Sequence, residues 1–397
     1  EASATDKSFV RCYNQRDTLI LRSRGNWPYE ASATDKSFVR CYNQRDTRMI
    51  STKVLSLHTF KIKSGSDFFI LRRHSMTNYT VDTLHLGAFT TESGETIENL
   101  KLRYEHVGYL GQPLVVVCHA LTGNHLTYGT DEHPGWWREI IDGGYMPIYD
   151  YQFLTFNVIG SPFGSSSPLN DAHFPKTITL RDIVKAIELG IKALGFTKID
   201  ILIGGSLGGM QVMELLYNHR FEVDKAVILA ATDKTSSYSR AFNEIAREAI
   251  HIGGKEGLSI ARQLGFLTYR SSKSYDARFT PDEVVNYQRH QGNKFKESYD
   301  LSCYLTMLNV LDSHHLDRQR DDVDEVFQSL NTKVLTMGFT DDLLYPDDQV
   351  RAVGERFKYH RHFFVPDNVG HDGFLLNFND WAPNLYHFLK VSKFKRK

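Results

Sequence analysis

The sequence predicts an α/β protein in which a mostly parallel sheet is flanked by helices and carries an inserted helical lid. Three observations support this. From residue 100 onward, short apolar, β-branched runs alternate with longer stretches of helical periodicity. A glycine-rich segment, Gly204-Gly205-Ser206-Leu207-Gly208, sits at the junction of one such run and one such helix. Between about 233 and 332 the alternation gives way to charged, helix-like sequence. Continuous apolar runs suit central parallel strands, which helices bury from both faces.

Taken in order, "LKLRYEHVG" (100–108) alternates as an early strand. "PLVVVCHA" (113–120), "FLTFNVIG" (153–160) and "KIDILIGG" (198–205) read as central strands. "KAVILAA" (225–231), "KVLTMGF" (333–339) and "RHFFVPD" (361–367) complete the set. "TITLRDIVKAIELGIKALGF" (177–196) has helical spacing and ends near Gly195, and the stretch from Gly208 to Phe221 reads as a helix starting at the glycines. The core is therefore expected over 76–232 and 333–397, with the lid over 233–332. Ahead of it, residues 1–18 recur unchanged at 30–47. Structural repeats drift and stack in several copies, so 1–75 is expected to be a leader outside the fold, disordered or non-native, with a regulatory two-repeat segment as the alternative. Cys12 and Cys41 fall in this leader and are assigned no chemistry.

Composition narrows the class. The 47 basic and 47 acidic residues give a formal net charge of +0, so no electrostatic footprint favours nucleic acid or an anionic membrane. No apolar run approaches the roughly 20 residues that span a bilayer, and the N-terminal residues lack the pattern of a secretion signal. Four cysteines in 397 residues are too few for a disulfide framework. A cytoplasmic globular protein is expected, with a core that 41% hydrophobic content can fill.

Ser206 carries the chemistry. Gly-x-Ser-x-Gly on a strand-to-helix turn forms a nucleophile elbow: flanking positions nearly free of side chain allow a strained turn that lifts the hydroxyl above the sheet edge. A serine at its free pKa needs a base, itself oriented by a carboxylate, and on this architecture the chain order is Ser, Asp or Glu, then His. "TDDLLYP" offers Asp341 and Asp342 after one late strand, and "VGHDGF" offers His371 after the last. "CHALTG" (118–123) follows a central strand where a second oxyanion donor belongs, so the backbone N–H of Leu121 is expected to join that of Leu207. Cys118 closes an apolar strand and reads as packing rather than a nucleophile. His314, His315 and Asp317, or His360 and His362, lack metal-ligand spacing and read as surface residues, so no metal is expected. Neither a phosphate-binding loop nor a dinucleotide fingerprint is present.

"VCHALTGN", "GGSLGGMQ", "AFNEIAREAI", "GLSIARQLGFLTYRS", "YQRHQGNKFKESYDLSCYL", "DDLLYP" and "GHDGFL" together resemble the homoserine O-acetyltransferase family, whose members have the α/β-hydrolase fold. The similarity runs from about 80 to 390. It implies Ser206 as nucleophile, Asp342 rather than Asp341 as orienting acid, and His371 as base. It also implies that Arg262 and Asp372 bind the amino-acid substrate; an arginine fork suits a carboxylate and an aspartate suits an ammonium. Acetyl-CoA as co-substrate with L-homoserine as acceptor, no other cofactor, and a homodimer through lid helices such as 281–311 are further implications. The connection "HIGGKE" (251–256) is shorter than in many relatives. Succinyl transfer, serine as acceptor, or ester hydrolysis by the same triad are the rival readings.

Overall fold

A computed structural model of the chain describes residues 78–366 and 369–391. It also describes the backbone of six short strands, Arg11–Gln15, Thr18–Ser23, Phe38–Asn43, Met49–Lys53, Thr59–Ser64 and Asp67–Arg72. The chain divides into two units, Glu1–Met76 and Thr77–Lys397. The side chains of the first unit, Cys12 and Cys41 among them, lie outside the described residues, and so does the expectation of disorder in the duplicated leader.

The second unit is built on eight strands: β1 (Asn78–His85), β2 (Lys101–Gly108), β3 (Leu114–Cys118), β4 (Gln152–Phe156), β5 (Lys198–Gly205), β6 (Glu222–Leu229), β7 (Lys333–Phe339) and β8 (Tyr359–Val365). They form one sheet in the order β8-β7-β6-β5-β3-β4-β2-β1. Only β2 runs against its neighbours; the pairs from β4 through β8 are parallel. The chain lays β4 on one side of β3, then crosses back to lay β5 on the other. The loops leaving β3 and β5 therefore diverge at the carboxyl edge of the sheet, where a crevice opens. The expected strands are all present, and β1 adds an edge strand beyond them.

Among the described residues the helices are α1 (Arg138–Asp142), α2 (Leu180–Ala193), α3 (Leu207–Asn218), α4 (Ser237–Gly253), α5 (Lys255–Tyr269) and α6 (Ser272–Arg278). They continue with α7 (Pro281–Ser298), α8 (Leu301–Ser313), α9 (Val323–Ser329), α10 (Asp347–Glu355) and α11 (Phe378–Lys390). Alternation along the strands sorts the core into two layers. Val116, Cys118 and Leu202 join the apolar cluster containing Ile183 and Ile187 of α2 and Met210 of α3. Val115, Val117, Ile201 and Ile203 join Ile140 of α1 and Trp381 and Leu385 of α11 on the other face. All five residues of β3 are buried, as a strand covered on both sides must be.

Helices α4–α9 fill the region between β6 and β7. α4 and α5 make a tight hairpin through Gly254, whose φ of 54° and ψ of −123° suit glycine. A β-carbon on Gly257 would stand 1.8 Å from the Ala249 carbonyl, so the two helices approach backbone to backbone. The later helices are tied to the core instead: Met307 of α8 and Phe327 of α9 belong to the same cluster as Val116. Phe327 stacks on Phe357 with centroids 4.0 Å apart and planes 21° from parallel. Arg356 then pins the two ends of the inserted region, pairing with Asp233 at 2.9 Å, Asp317 at 2.6 Å and Asp324 at 2.6 Å. Because Phe327 is wholly buried, Phe327→Ala is expected to lower the free energy of unfolding by about 3–5 kcal/mol in urea titration.

Candidate active site

Ser206 sits between β5 and α3 with φ 55° and ψ −126°, a conformation that L-residues avoid. Its neighbours explain how the turn exists. A β-carbon on Gly208 would lie 2.1 Å from the Cys118 carbonyl oxygen, and one on Gly204 would lie 2.4 Å from the Gly208 backbone. Only glycine at both positions lets the elbow close against the end of β3. The Ser206 N–H donates to the Leu229 carbonyl at 2.9 Å, which holds the strained residue to β6.

The other members of the triad arrive from the loops after β7 and β8. His371 Nε2 stands 2.9 Å from Ser206 Oγ, and His371 Nδ1 stands 2.8 Å from Asp342 Oδ2. An ionised carboxylate can only accept, so Nδ1 carries the proton and Nε2 is left to accept from the serine hydroxyl. The second Asp342 oxygen accepts from the N–H groups of Leu344 at 2.9 Å and Tyr345 at 3.0 Å, which fixes the carboxylate plane. Asp341 points elsewhere: it pairs with Lys273 at 2.9 Å on the surface. Burial disfavours the His371 imidazolium, but the charge and hydrogen bond of Asp342, with the charge of Asp372, outweigh it and hold its pKa above the ordinary value.

The expected oxyanion donors, Leu121 after β3 and Leu207 at the start of α3, lie in segments that are themselves braced. Leu121 and Leu207 are both buried. The Gln211 side-chain amide, one turn into α3, donates to the His119 carbonyl at 3.1 Å and the Leu207 carbonyl at 3.2 Å, linking the post-β3 loop to the helix start. His119 donates from Nδ1 to the Ala120 carbonyl at 2.8 Å, and its Nε2 accepts from the Val158 N–H at 3.0 Å. Burial lowers the His119 pKa to about 4, so this ring is a neutral brace. Cys118 is buried and burial pushes its thiol up to about 12, which suits packing and not nucleophilic attack.

A cavity of about 270 Å³ covers Ser206 and His371, walled by α4, α5 and α8. Arg262 and Asp372 line the same cavity. The Arg262 guanidinium lies 4.5 Å from the Phe266 ring centroid and 4.7 Å from that of Phe295. It has no carboxylate partner among the described residues, and its one hydrogen bond is a long 3.5 Å contact to Thr122. Stacking on two rings keeps such a cation in place while leaving its N–H fork open to an incoming anion. Asp372 is already paired, with Arg270 Nε at 2.9 Å. Arg270, Gln211 and Tyr345, whose ring centroid lies 5.1 Å from that of His371, are the site residues that sequence reasoning missed. Gln211 stands in the quoted "GGSLGGMQ", but nothing in a glutamine beside apolar residues signals that it ties two loops together.

The expectation that the remaining histidines lie on the surface needs correction. His315 is exposed, but His314 is buried and bonds through Nε2 to the Thr232 carbonyl at 2.8 Å. His360 is half-buried, and His362 is held between Thr336 at 2.9 Å and Asp347 at 2.9 Å. Packing of α8 and α10 against the sheet draws them in. Among the described residues no group of three or more His, Cys, Asp or Glu could hold a metal ion. No helix there is long and apolar enough to cross a membrane.

Comparison with known proteins agrees with this fold. The α/β-hydrolase fold family matches residues 113–378. Homoserine O-acetyltransferase of Moorella thermoacetica is 30% identical over 347 residues, covering 75% of this chain and 92% of its own length. The enzyme of the same name from Carboxydothermus hydrogenoformans is 32% identical over 351 residues, covering 76% and 92%. A crystal structure of homoserine o-acetyltransferase from Staphylococcus aureus is 83% identical with a TM-score of 0.79, covering 81% of this chain and 98% of that one. Esterase E22, 17% identical with a TM-score of 0.70 over 79% of this chain and all of its own, shares the fold.

The Asp342–His371 geometry sets two expected outcomes. Asp342→Asn reduces kcat by about 10⁴, whereas Asp341→Asn stays near the parent. Catalysis needs neutral His371, so kcat/KM falls as the pH drops through its raised pKa, above the usual value of about 6.5. Removing the Asp342 charge moves that acid limb to lower pH in a pH–rate profile.

Proposed function

The chain belongs to the homoserine O-acetyltransferase family, on the α/β-hydrolase fold, and from that premise we propose how its residues move an acetyl group from acetyl-CoA to the side-chain hydroxyl of L-homoserine. The observation that carries the proposal is one cavity joining a nucleophile relay to an unpaired arginine and an aspartate. That combination suits an acyl acceptor with both carboxylate and ammonium groups. The activity belongs to methionine biosynthesis.

The reaction runs in two halves. His371 takes the Ser206 proton as Oγ attacks the thioester carbonyl, and the tetrahedral oxyanion rests on the N–H groups of Leu121 and Leu207. The C–S bond breaks, the thiolate receives the proton from His371, and coenzyme A leaves an acetyl-serine behind. Homoserine then enters with its carboxylate on the Arg262 fork and its ammonium near Asp372. His371 removes the proton of the side-chain hydroxyl, that oxygen attacks the ester, and the proton returns to Ser206 as the C–O bond breaks. Water could do the same work, so a transferase must position the alcohol and keep the cavity dry. Phe266, Tyr269, Tyr304 and Phe374 in the cavity wall support that exclusion. The cycle uses acetyl-CoA as co-substrate and asks for no further cofactor.

A homodimer through the lid belongs to the same proposal. Tyr238, Ile245 and Ile252 recur seven residues apart on α4, and Ile260 and Leu267 repeat that spacing on α5, all exposed. Segment 281–311 adds only Val285 to the exposed large apolar side chains among the described residues. The support therefore falls on the α4–α5 hairpin, where a second copy would cover two parallel apolar stripes. A cytoplasmic location is also proposed, supported by the free thiols of Cys118 and Cys303.

Two measurements test these readings. Arg262→Gln is expected to raise the KM for homoserine about 10–100-fold, as loss of a charge-assisted fork would, while the burst of coenzyme A release from acetyl-CoA alone is unchanged. An equal loss in both halves would remove Arg262 from acceptor binding. Ile252, 85% exposed, is the sharpest probe of the dimer: Ile252→Asp is expected to convert it to monomer in analytical ultracentrifugation with unfolding unaltered.

A further inference from the structure

The proposed reaction leaves part of its donor without a site. Acetyl-CoA joins an acyl-pantetheine arm to a nucleotide end bearing a diphosphate and a 3′-phosphate. The cavity over Ser206, about 270 Å³, offers two guanidinium groups. Arg262 is assigned to the carboxylate of the acceptor, and Arg270 is held by Asp372 at 2.9 Å. No cation there remains for phosphate.

A second cleft, of about 400 Å³, lies where the loop leaving β6 runs into α4 beside the end of α8. Lys234, Arg240, His315 and Arg318 line it, with Asp312 as its acidic residue. Lys234 and Arg240 are exposed, and neither makes an ion pair among the described residues. Asp312 is neutralised by Arg247, and Arg318 by Glu92 at 2.7 Å. The cleft therefore keeps an excess of positive charge. His314 also lines the cleft and is held by its Nε2, which donates to the Thr232 carbonyl at 2.8 Å.

The two clefts share a wall. Ser239 and Asn243 of α4 line the first and Arg240 lines the second. Asn243 Nδ2 donates to Asp312 Oδ1 at 2.8 Å, so one hydrogen-bonded pair forms the partition. Arg240 and Asn243 thus face the two clefts from within one turn of α4, roughly 5 Å along its axis.

We propose that the Lys234–Arg240 cleft binds the phosphate-bearing nucleotide end of the acyl donor, while the arm reaches over α4 to Ser206. The assignment rests on acetyl-CoA being the donor. It makes donor binding dependent on ionic strength and gives acetyl-CoA an advantage over S-acetylpantetheine, which has the arm and no phosphate.

The test compares the full-length parent with Lys234→Glu/Arg240→Glu. The double variant is expected to raise the KM for acetyl-CoA at least about tenfold, as loss of charge-assisted contacts would. Its KM for S-acetylpantetheine and its kcat/KM for 4-nitrophenyl acetate should match the parent. Adenosine 3′,5′-bisphosphate should compete with acetyl-CoA in the parent and lose that effect in the variant, while inorganic phosphate at equal concentration does not compete. The charge-neutral pair Lys234→Gln/Arg240→Gln should show the same pattern at smaller amplitude. An unchanged KM for acetyl-CoA, or an equal rise for both thioesters, overturns the site. A parent that does not turn over acetyl-CoA overturns the reading beneath it, and 4-nitrophenyl acetate turnover then shows that the triad is intact.

Discussion

The rest of the site depends on one backbone conformation, that of Ser206. A left-handed residue at the end of a buried parallel strand costs of order 1–3 kcal/mol and survives only where its surroundings over-determine it. Here they do: Gly204 and Gly208 leave no β-carbon between the elbow and the end of β3, and the Leu229 carbonyl holds the Ser206 N–H. The same turn starts α3, so the N-terminal N–H groups of that helix and the serine hydroxyl share one location. The proposed nucleophile, one proposed oxyanion donor and the helix terminus all follow from a single strained residue.

Electrostatics then decides what the serine can do. The buried His371 would be hard to protonate by itself, and Asp342 reverses that preference by charge and by a 2.8 Å hydrogen bond. An imidazolium formed during attack is therefore stabilised where it forms. His119, directly after β3 and equally buried, shows the contrast: without a carboxylate its pKa falls to about 4 and its role is confined to bracing a loop. The cavity repeats the logic at larger scale, with Arg262 kept unpaired on aromatic faces and Asp372 partly satisfied by Arg270.

Much of this was legible in the sequence, for physical reasons that differ by residue. Buried parallel strands must be apolar throughout, so β3, β5 and β7 stood out. The elbow was visible because its steric demand leaves glycines at fixed offsets, and the chain order of acid and base picked out Asp342 and His371. Choosing Asp342 over Asp341 needed the family pattern, since both follow β7. Gln211, Arg270 and Tyr345 were illegible because their partners are distant in sequence and no periodicity marks such contacts. The burial of His314 escaped for a related reason: it terminates α8, and only tertiary packing draws it inside. The α4–α5 stripe lay in plain view as a seven-residue repeat, but in the sequence an apolar stripe facing solvent looks the same as one facing the core.

Intact-protein mass spectrometry after a brief pulse of acetyl-CoA, with no acceptor present, tests the central claim most directly. One added acetyl group on Ser206, discharged by homoserine far faster than by water, is the predicted result. An adduct elsewhere, or discharge by water at a rate indifferent to homoserine, would contradict it.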